Sequence, residues 1–313
     1  MSTQLDERDD RFHEVPVDDP MWTETTWWGF MVPERGLGGM IYTLFRPNLG
    51  VAALVTQVWD TEHVEGWESP YARSLWHLRM PDGDLDDLTI GFLHIRRLDP
   101  LRSYQLTYED GDSLAFDLRY EAAMEPHVVA AARELGHFDQ LCAVTGELRL
   151  GGETIAVNAC AVRDRSWYVR NDFRSMRSAY TYGYVDGGDH FLLYTRPGPE
   201  DVDRDGGGVF GGYLLRDGEK ADLTDGERRV VTRRRGHPDE IAIVATDALG
   251  RQLEARGRVT ASLASQSTPG MFAWMSMADW TIGDRHGHGE DHDVWSPDIL
   301  ARQHAGRKHG AAR

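Results

Sequence analysis

The chain has 313 residues, enough for one large domain or two ordinary ones with a sizeable core. Its 34 Lys and Arg stand against 51 Asp and Glu, and the net charge of −17 argues against nucleic acid or an anionic membrane as a partner. No apolar run approaches the ~20 residues of a membrane span, so no integral membrane segment is expected.

Two cysteines, Cys142 and Cys160, give no disulfide framework. The opening Met1-Ser-Thr-Gln-Leu-Asp-Glu-Arg-Asp-Asp10 has neither a basic nor an apolar leader region, so a cytoplasmic location is expected. The 10 Trp, 11 Tyr and 10 Phe are many for so acidic a chain and suit β-sheets around an apolar ligand, or an ordinary sandwich core.

Residues 1–20 read as a polar arm that docks later. From Thr25, apolar runs separated by Gly, Pro and Asn turns indicate an antiparallel meander: Thr25–Val32, Met40–Arg46, Val51–Trp59, Leu88–Leu98, Tyr104–Tyr108 and Ser113–Tyr120. Pro126 to Gly136 reads as a short helix, with Pro near its start and Gly after its end. Asp139–Leu150 and Thr154–Val162 form a hairpin across Gly151-Gly152.

The second half repeats the style in Ala179–Val185, His190–Arg196, Val209–Leu215, Arg228–Arg235, Glu240–Ala245 and Gln252–Thr260. Residues 197–208 read as an exposed loop, and the chain from Gln303 on reads as a frayed tail. The expected fold class is all-β: two closed or nearly closed antiparallel barrels in tandem, 1–156 and 157–313, with one or two short helices.

Between the halves lies Asn158-Ala-Cys-Ala-Val-Arg-Asp-Arg-Ser-Trp-Tyr-Val-Arg170, with more charge than a buried strand carries unpaired. If extended, it points Arg163, Arg165 and Trp167 one way and Asp164, Ser166, Tyr168 and Arg170 the other. It reads equally as a structural ion-pair cluster or as part of a site.

Gly283-Asp-Arg-His-Gly-His-Gly-Glu-Asp-His-Asp-Val-Trp295 would place His286, His288, Glu290 and His292 on one strand face. Its glycines suggest a bend and no matched ligand spacing accompanies it, so no metal is assigned. His137 reads as a helix cap or as a proton-exchanging group at the base of a pocket. His94, in an apolar strand, reads as a satisfied core histidine or a ligand contact.

No nucleophile elbow, phosphate loop or Cys-x-x-Cys is present, and Gly36-Leu-Gly38-Gly39 lacks a βαβ context, so no cofactor is expected.

Thr23-Glu-Thr, Trp27-Trp, Gly38-Gly39, Arg46-Pro-Asn, His137-Phe-Asp-Gln140, Val144-Thr-Gly, Arg163-Asp-Arg-Ser-Trp167, Tyr182-Gly-Tyr, Leu192-Leu-Tyr-Thr-Arg196 and Gly287-His-Gly-Glu stand in an ordered series. This series resembles the carotenoid 1,2-hydratase/AttH-like double-lipocalin family and its kievitone-hydratase-like relatives. It departs from the family at Tyr168, where Gly is commoner, and at Arg165, often His.

The resemblance implies two lipocalin-like barrels in tandem with a shared interdomain cleft, and action on, or carriage of, bulky apolar molecules, with water addition to C=C bonds and pericyclic cyclisations among known activities. The expectation is a cofactor-independent hydratase, dehydratase or isomerase for a terpenoid, steroid or polyketide-like substrate. Asp164, His137 and Glu290 are the acid/base candidates. Trp28, His94, Arg165, Trp167, Arg170, Tyr182, Trp280 and Trp295 are the substrate-contact candidates. The alternative is a non-catalytic carrier or sensor of a lipophilic ligand. The expected partners are that hydrophobic small molecule and, at most, a second copy in a homodimer.

Overall fold

A computed structural model describes residues 5–128, 136–170, 175–202, 204–268 and 270–310. The chain divides into two compact units, Met1–Asp60 with Trp67–Arg170, and Thr61–Gly66 with Asn171–Arg313. The division therefore falls after Arg170 rather than at 156/157. The strand Glu153–Val169 runs unbroken through the expected boundary and pairs along its length inside the first unit.

The first unit is one antiparallel sheet of ten strands: β1 (Trp22–Val32), β2 (Leu37–Arg46), β3 (Val51–Trp59), β4 (Tyr71–Arg79), β5 (Asp87–Ile90), β6 (Leu93–Asp99), β7 (Ser103–Asp110), β8 (Leu114–Ala122), β9 (His137–Leu150) and β10 (Glu153–Val169). Its order is β4-β3-β2-β1-β10-β9-β8-β7-β6-β5, so this unit's first and last strands meet where β1 pairs with β10. No ladder joins β4 to β5 among the described residues. Side chains span that edge instead: Leu75 and Leu78 of β4 reach the Gly91 turn after β5, and the Tyr71 and Tyr108 hydroxyls share a hydrogen bond of 2.6 Å.

The second unit is a closed antiparallel barrel of eight strands: β11 (Arg177–Val185), β12 (His190–Arg196), β13 (Gly206–Arg216), β14 (Glu219–Arg234), β15 (His237–Asp247), β16 (Gln252–Thr268), β17 (Met271–Ile282) and β18 (Arg285–Trp295). Closure comes from β11 pairing with both β12 and β18, which leaves no edge strand. Helix α1 (Pro297–Gly310) follows, where a frayed tail was expected. Among the described residues no helix is long and apolar enough to cross a membrane.

Strand β4 escapes a pattern-based reading because most of its residues are exposed or half-buried. Gly206 to Gly208, expected in a loop, open β13. The expected helix from Pro126 falls largely on residues 129–135, outside the described residues.

Each unit encloses an apolar core, around Phe30, Phe45, Leu106 and Leu118 in the first and Phe191, Leu214, Ile243 and Trp280 in the second. All eleven residues of β1 are buried, so both its faces are out of water and its pattern is continuous rather than alternating. Glycines opposite aromatics recur in the two cores. A Cβ on Gly39 would lie 2.0 Å from the ring of Phe30, its cross-strand partner, and one on Gly183 would lie 2.6 Å from Phe191.

Gly39→Ala therefore forces the Phe30 ring out of its place. We expect a loss of about 1–3 kcal/mol, as overpacked cores show, read as a lower urea midpoint with an unchanged slope.

Candidate functional site

Strand alternation sorts the charged segment of β10 as its spacing predicts. Trp28 of the core lies opposite Arg163, which lies opposite Gln140, so Arg163 and Arg165 face inward while Asp164 faces out. Both arginines are 1% exposed and would be costly without partners.

Arg163 donates to Asp10 Oδ1 at 3.0 Å and to Gln140 Oε1 at 2.8 Å, and its guanidinium lies 4.1 Å from the Tyr104 ring centroid. Arg165 donates to Glu24 Oε2 at 2.7 Å and to the Arg11 carbonyl. Trp167 stacks on His13 at 4.1 Å. The inward half of the segment is thus an ion-pair network closed by the N-terminal arm.

The outward half is different. Asp164 stands between Trp27 of β1 and Asp139 of β9 in register, with His137 opposite Ser166. His137 Nε2 lies 3.4 Å from Asp139 Oδ1. Burial disfavours the His137 imidazolium, but the Asp139 and Asp164 carboxylates outweigh it and raise the pKa above its ordinary value, against a smaller opposing effect of Arg170.

Arg170 donates to the Tyr42 hydroxyl at 2.8 Å and to Ser166 Oγ at 2.9 Å, and lies over the Tyr168 ring. Burial raises the pKa of Tyr42, which stays a neutral phenol. One sheet face thus gathers two carboxylates, an imidazole, a phenol and the indole of Trp27.

In the second unit, β18 is a regular strand, so His286, His288, Glu290 and His292 do share its outer face. The bend expected from its glycines is instead close packing. A Cβ on Gly287 or Gly289 would lie 1.9 or 2.1 Å from a β11 carbonyl oxygen. His288 pairs with Asp279 at 3.0 Å, and His292 pairs with buried Glu290 at 2.7 Å.

Tyr182 lies opposite Glu290 in register, and its ring is 6.2 Å from that of His190, whose Nδ1 shares a 2.8 Å hydrogen bond with the Tyr213 hydroxyl. Burial pushes the His190 pKa down to about 3, so this imidazole is neutral. The His190–Tyr213 pair escaped the sequence reading, because nothing in a hairpin flank distinguishes a buried His from an exposed one.

Several expected substrate contacts are core residues. Trp28 packs on Tyr104 and Tyr120 and donates to Thr26. Trp280 packs on Phe191 inside the second barrel. Trp295 carries Arg177 3.6 Å from its ring centroid. Arg165 and Trp167 belong to the inward network.

His94 lies outside the apolar core, half-buried on the β5–β6 hairpin, where it pairs with Asp87 at 2.7 Å. Arg170 and Tyr182 remain on outer faces beside the acid/base candidates. Among the described residues no group of three or more His, Cys, Asp or Glu has the arrangement of a metal site.

A family model described as "Domain of unknown function (DUF7064)" matches residues 6–291. The chain belongs to this family. No curated protein sequence matches it.

Among solved structures it is similar to a candidate AttH from Nitrosomonas europaea, with a TM-score of 0.59 and 15% identity over 88% of this chain and 91% of that one. Kievitone hydratase from Nectria haematococca gives a TM-score of 0.57 at 10% identity, over 88% of this chain and 89% of that one. CghA gives 0.57 at 12% identity over the same shares. The resemblance to the carotenoid hydratase/AttH-like double-lipocalin group is thus a shared fold.

Two opposite pH dependences follow. His137, with its raised pKa, contributes stability that is full below the unfolded value of about 6.5 and is lost as pH rises through the folded value. His190, held neutral, resists protonation in the fold, so stability falls as pH drops from about 6.5 towards about 3, by at most ~1.4 kcal/mol per pH unit. His190→Gln should flatten the acid limb of stability against pH and His137→Gln the limb above neutrality, both read from urea midpoints.

Asp293 is gripped by Arg177, Arg228 and Arg233, which hold its carboxyl well below the usual range despite burial. Asp293→Asn should cost about 3–5 kcal/mol at neutral pH, because it leaves guanidinium charge buried and underpaired. The same substitution should remove part of the stability loss seen below pH ~4.

Proposed function

We propose that the chain is a cofactor-independent hydratase, dehydratase or isomerase acting by proton transfer on a bulky hydrophobic terpenoid, steroid or polyketide-like molecule. The observation that carries this reading is the outward cluster of the first unit. There the Asp139 and Asp164 carboxylates raise the His137 pKa above its ordinary value, beside Trp27 and Tyr42. An imidazolium so held is a general acid with its reset partner already in place.

In the hydration direction, the π electrons of an electron-rich double bond take the His137 proton and form a C–H bond. Water then attacks the other carbon and gives its proton to Asp164, which returns it to His137. Dehydration is the reverse, and loss of a carbon-bound proton in place of water capture gives isomerisation. The indole and phenol faces next to the cluster supply apolar contact and stabilise developing positive charge. Tyr182, Glu290 and His292 form a second acid/base set on the other barrel.

The hydratase name of one structural neighbour agrees with this reading at the level of a shared fold. The substrate size follows from the aromatic content and the family resemblance.

The test is incubation with a panel of terpenoid, steroid and polyketide-like alkenes and alcohols, reading a mass change of one water. Asp164→Asn and His137→Gln should each lower turnover by about 10²–10⁴-fold while the far-UV spectrum is unchanged. Wild-type turnover should fall as pH rises through the His137 pKa. Full turnover by Asp164→Asn overturns the assignment. A co-purified ligand returned unchanged by every variant indicates a carrier.

A further inference from the structure

The N-terminal arm is built like a ligand. Asp6 caps the 3-10 turn Glu7–Asp10, accepting from Arg8 N at 2.8 Å while Asp9 accepts from Asp6 N. The turn delivers Asp10, only 3% exposed, into a cradle made by distant parts of the first unit.

Its Oδ1 takes Arg163 Nη1 at 3.0 Å, and its Oδ2 takes Leu101 N at 2.9 Å and the Tyr104 hydroxyl. Two residues on, Phe12 sets its ring edge-on to Phe45 at 4.8 Å. A guanidinium, a hydroxyl and a backbone N–H converging on one carboxylate, next to an apolar anchor, is the chemistry of a carboxylate-binding site.

The donors are placed without the arm. Arg163 is fixed by Gln140 and by the rings of Trp28, Tyr104 and Phe138, while Gln140 donates to the carbonyls of Leu101 and Met124. Arg163 Nη2 is buried and has no hydrogen-bond partner among the described residues, so the tethered carboxylate engages the guanidinium through one nitrogen and leaves a donor that a freely oriented one could use.

We infer that the inner end of β10, around Arg163, Tyr104 and Leu101 N, is a preformed carboxylate-binding site that the chain fills in cis with its own Asp10. The arm is then a displaceable stopper of the first sheet, and the ligand class is a small carboxylate. This stands apart from the acid/base cluster, which lies on the opposite face of β10.

The experiment is chemical rescue. Asp10→Gly removes the carboxylate, and sodium formate, titrated against sodium chloride at equal ionic strength, should refill the cradle. The expected result is a saturable rise in Tm of about 2–4 °C or more with formate and none with chloride. Wild type and the Asp10→Gly/Arg163→Gln double variant should show no such rise.

Equal responses to formate and chloride, or a formate response that survives Arg163→Gln, overturns the proposal. If Asp10→Gly is insoluble, it is refolded in each salt: recovery in formate alone supports the site, and equal failure overturns it.

Discussion

A guanidinium inside a β-barrel has to be met by carboxylates, and both units are arranged around meeting that demand. Arg163, Arg165 and Arg228 are each 1% exposed, where an unpaired charge would cost several kcal/mol. In the first unit the carboxylates come from Asp10 on the arm and Glu24 on β1. In the second they come from Asp291 and Asp293 on β18, with Thr181 donating to Asp291 at 2.6 Å. The first unit therefore draws one countercharge from its N-terminal arm, while the second draws those of Arg228 from its closing strand.

The same alternation that sends the arginines inward sends the candidate acid/base side chains outward. On β10, Asp164 and Ser166 alternate with Arg163 and Arg165; on β18, Glu290 and His292 alternate with Asp291 and Asp293. A slip of one residue in either strand would turn the outward polar side chains inside and the core charges outside. Packing fixes the register against this. The pairing of Trp28 with Arg163 carries a guanidinium over an indole, and Gly287 and Gly289 sit where only a bare Cα lets β18 approach β11.

The two faces also explain why some candidates were legible and others were not. Asp164, His137, Glu290, Arg170 and Tyr182 are polar or amphipathic residues whose parity placed them together on outer faces. Trp28, Trp280 and Trp295 were chosen as aromatic contacts, but an indole in a strand is as easily a core side chain, and the registers put them inside. His94 lay in an apolar run whose neighbours Leu93 and Ile95 turn inward while it sits half-buried on the other face. His190 and Tyr213 meet across a hairpin, a pairing that becomes visible only with the strands laid side by side.

The sequence by itself determined the strand and turn rhythm, the two-unit plan and the parity of the charged segment, because side-chain alternation and Gly/Pro turn chemistry are local. Tertiary structure alone decided what each charge meets. Arg163 and Asp10 are 153 residues apart, and Arg228 and Asp291 are 63 apart, distances over which no local preference acts. Sequence placed Arg163-Asp164-Arg165 at the junction of the two halves. The fold divided that triplet, holding the arginines in the core as structure and turning the aspartate to the opposite face beside Asp139 and His137.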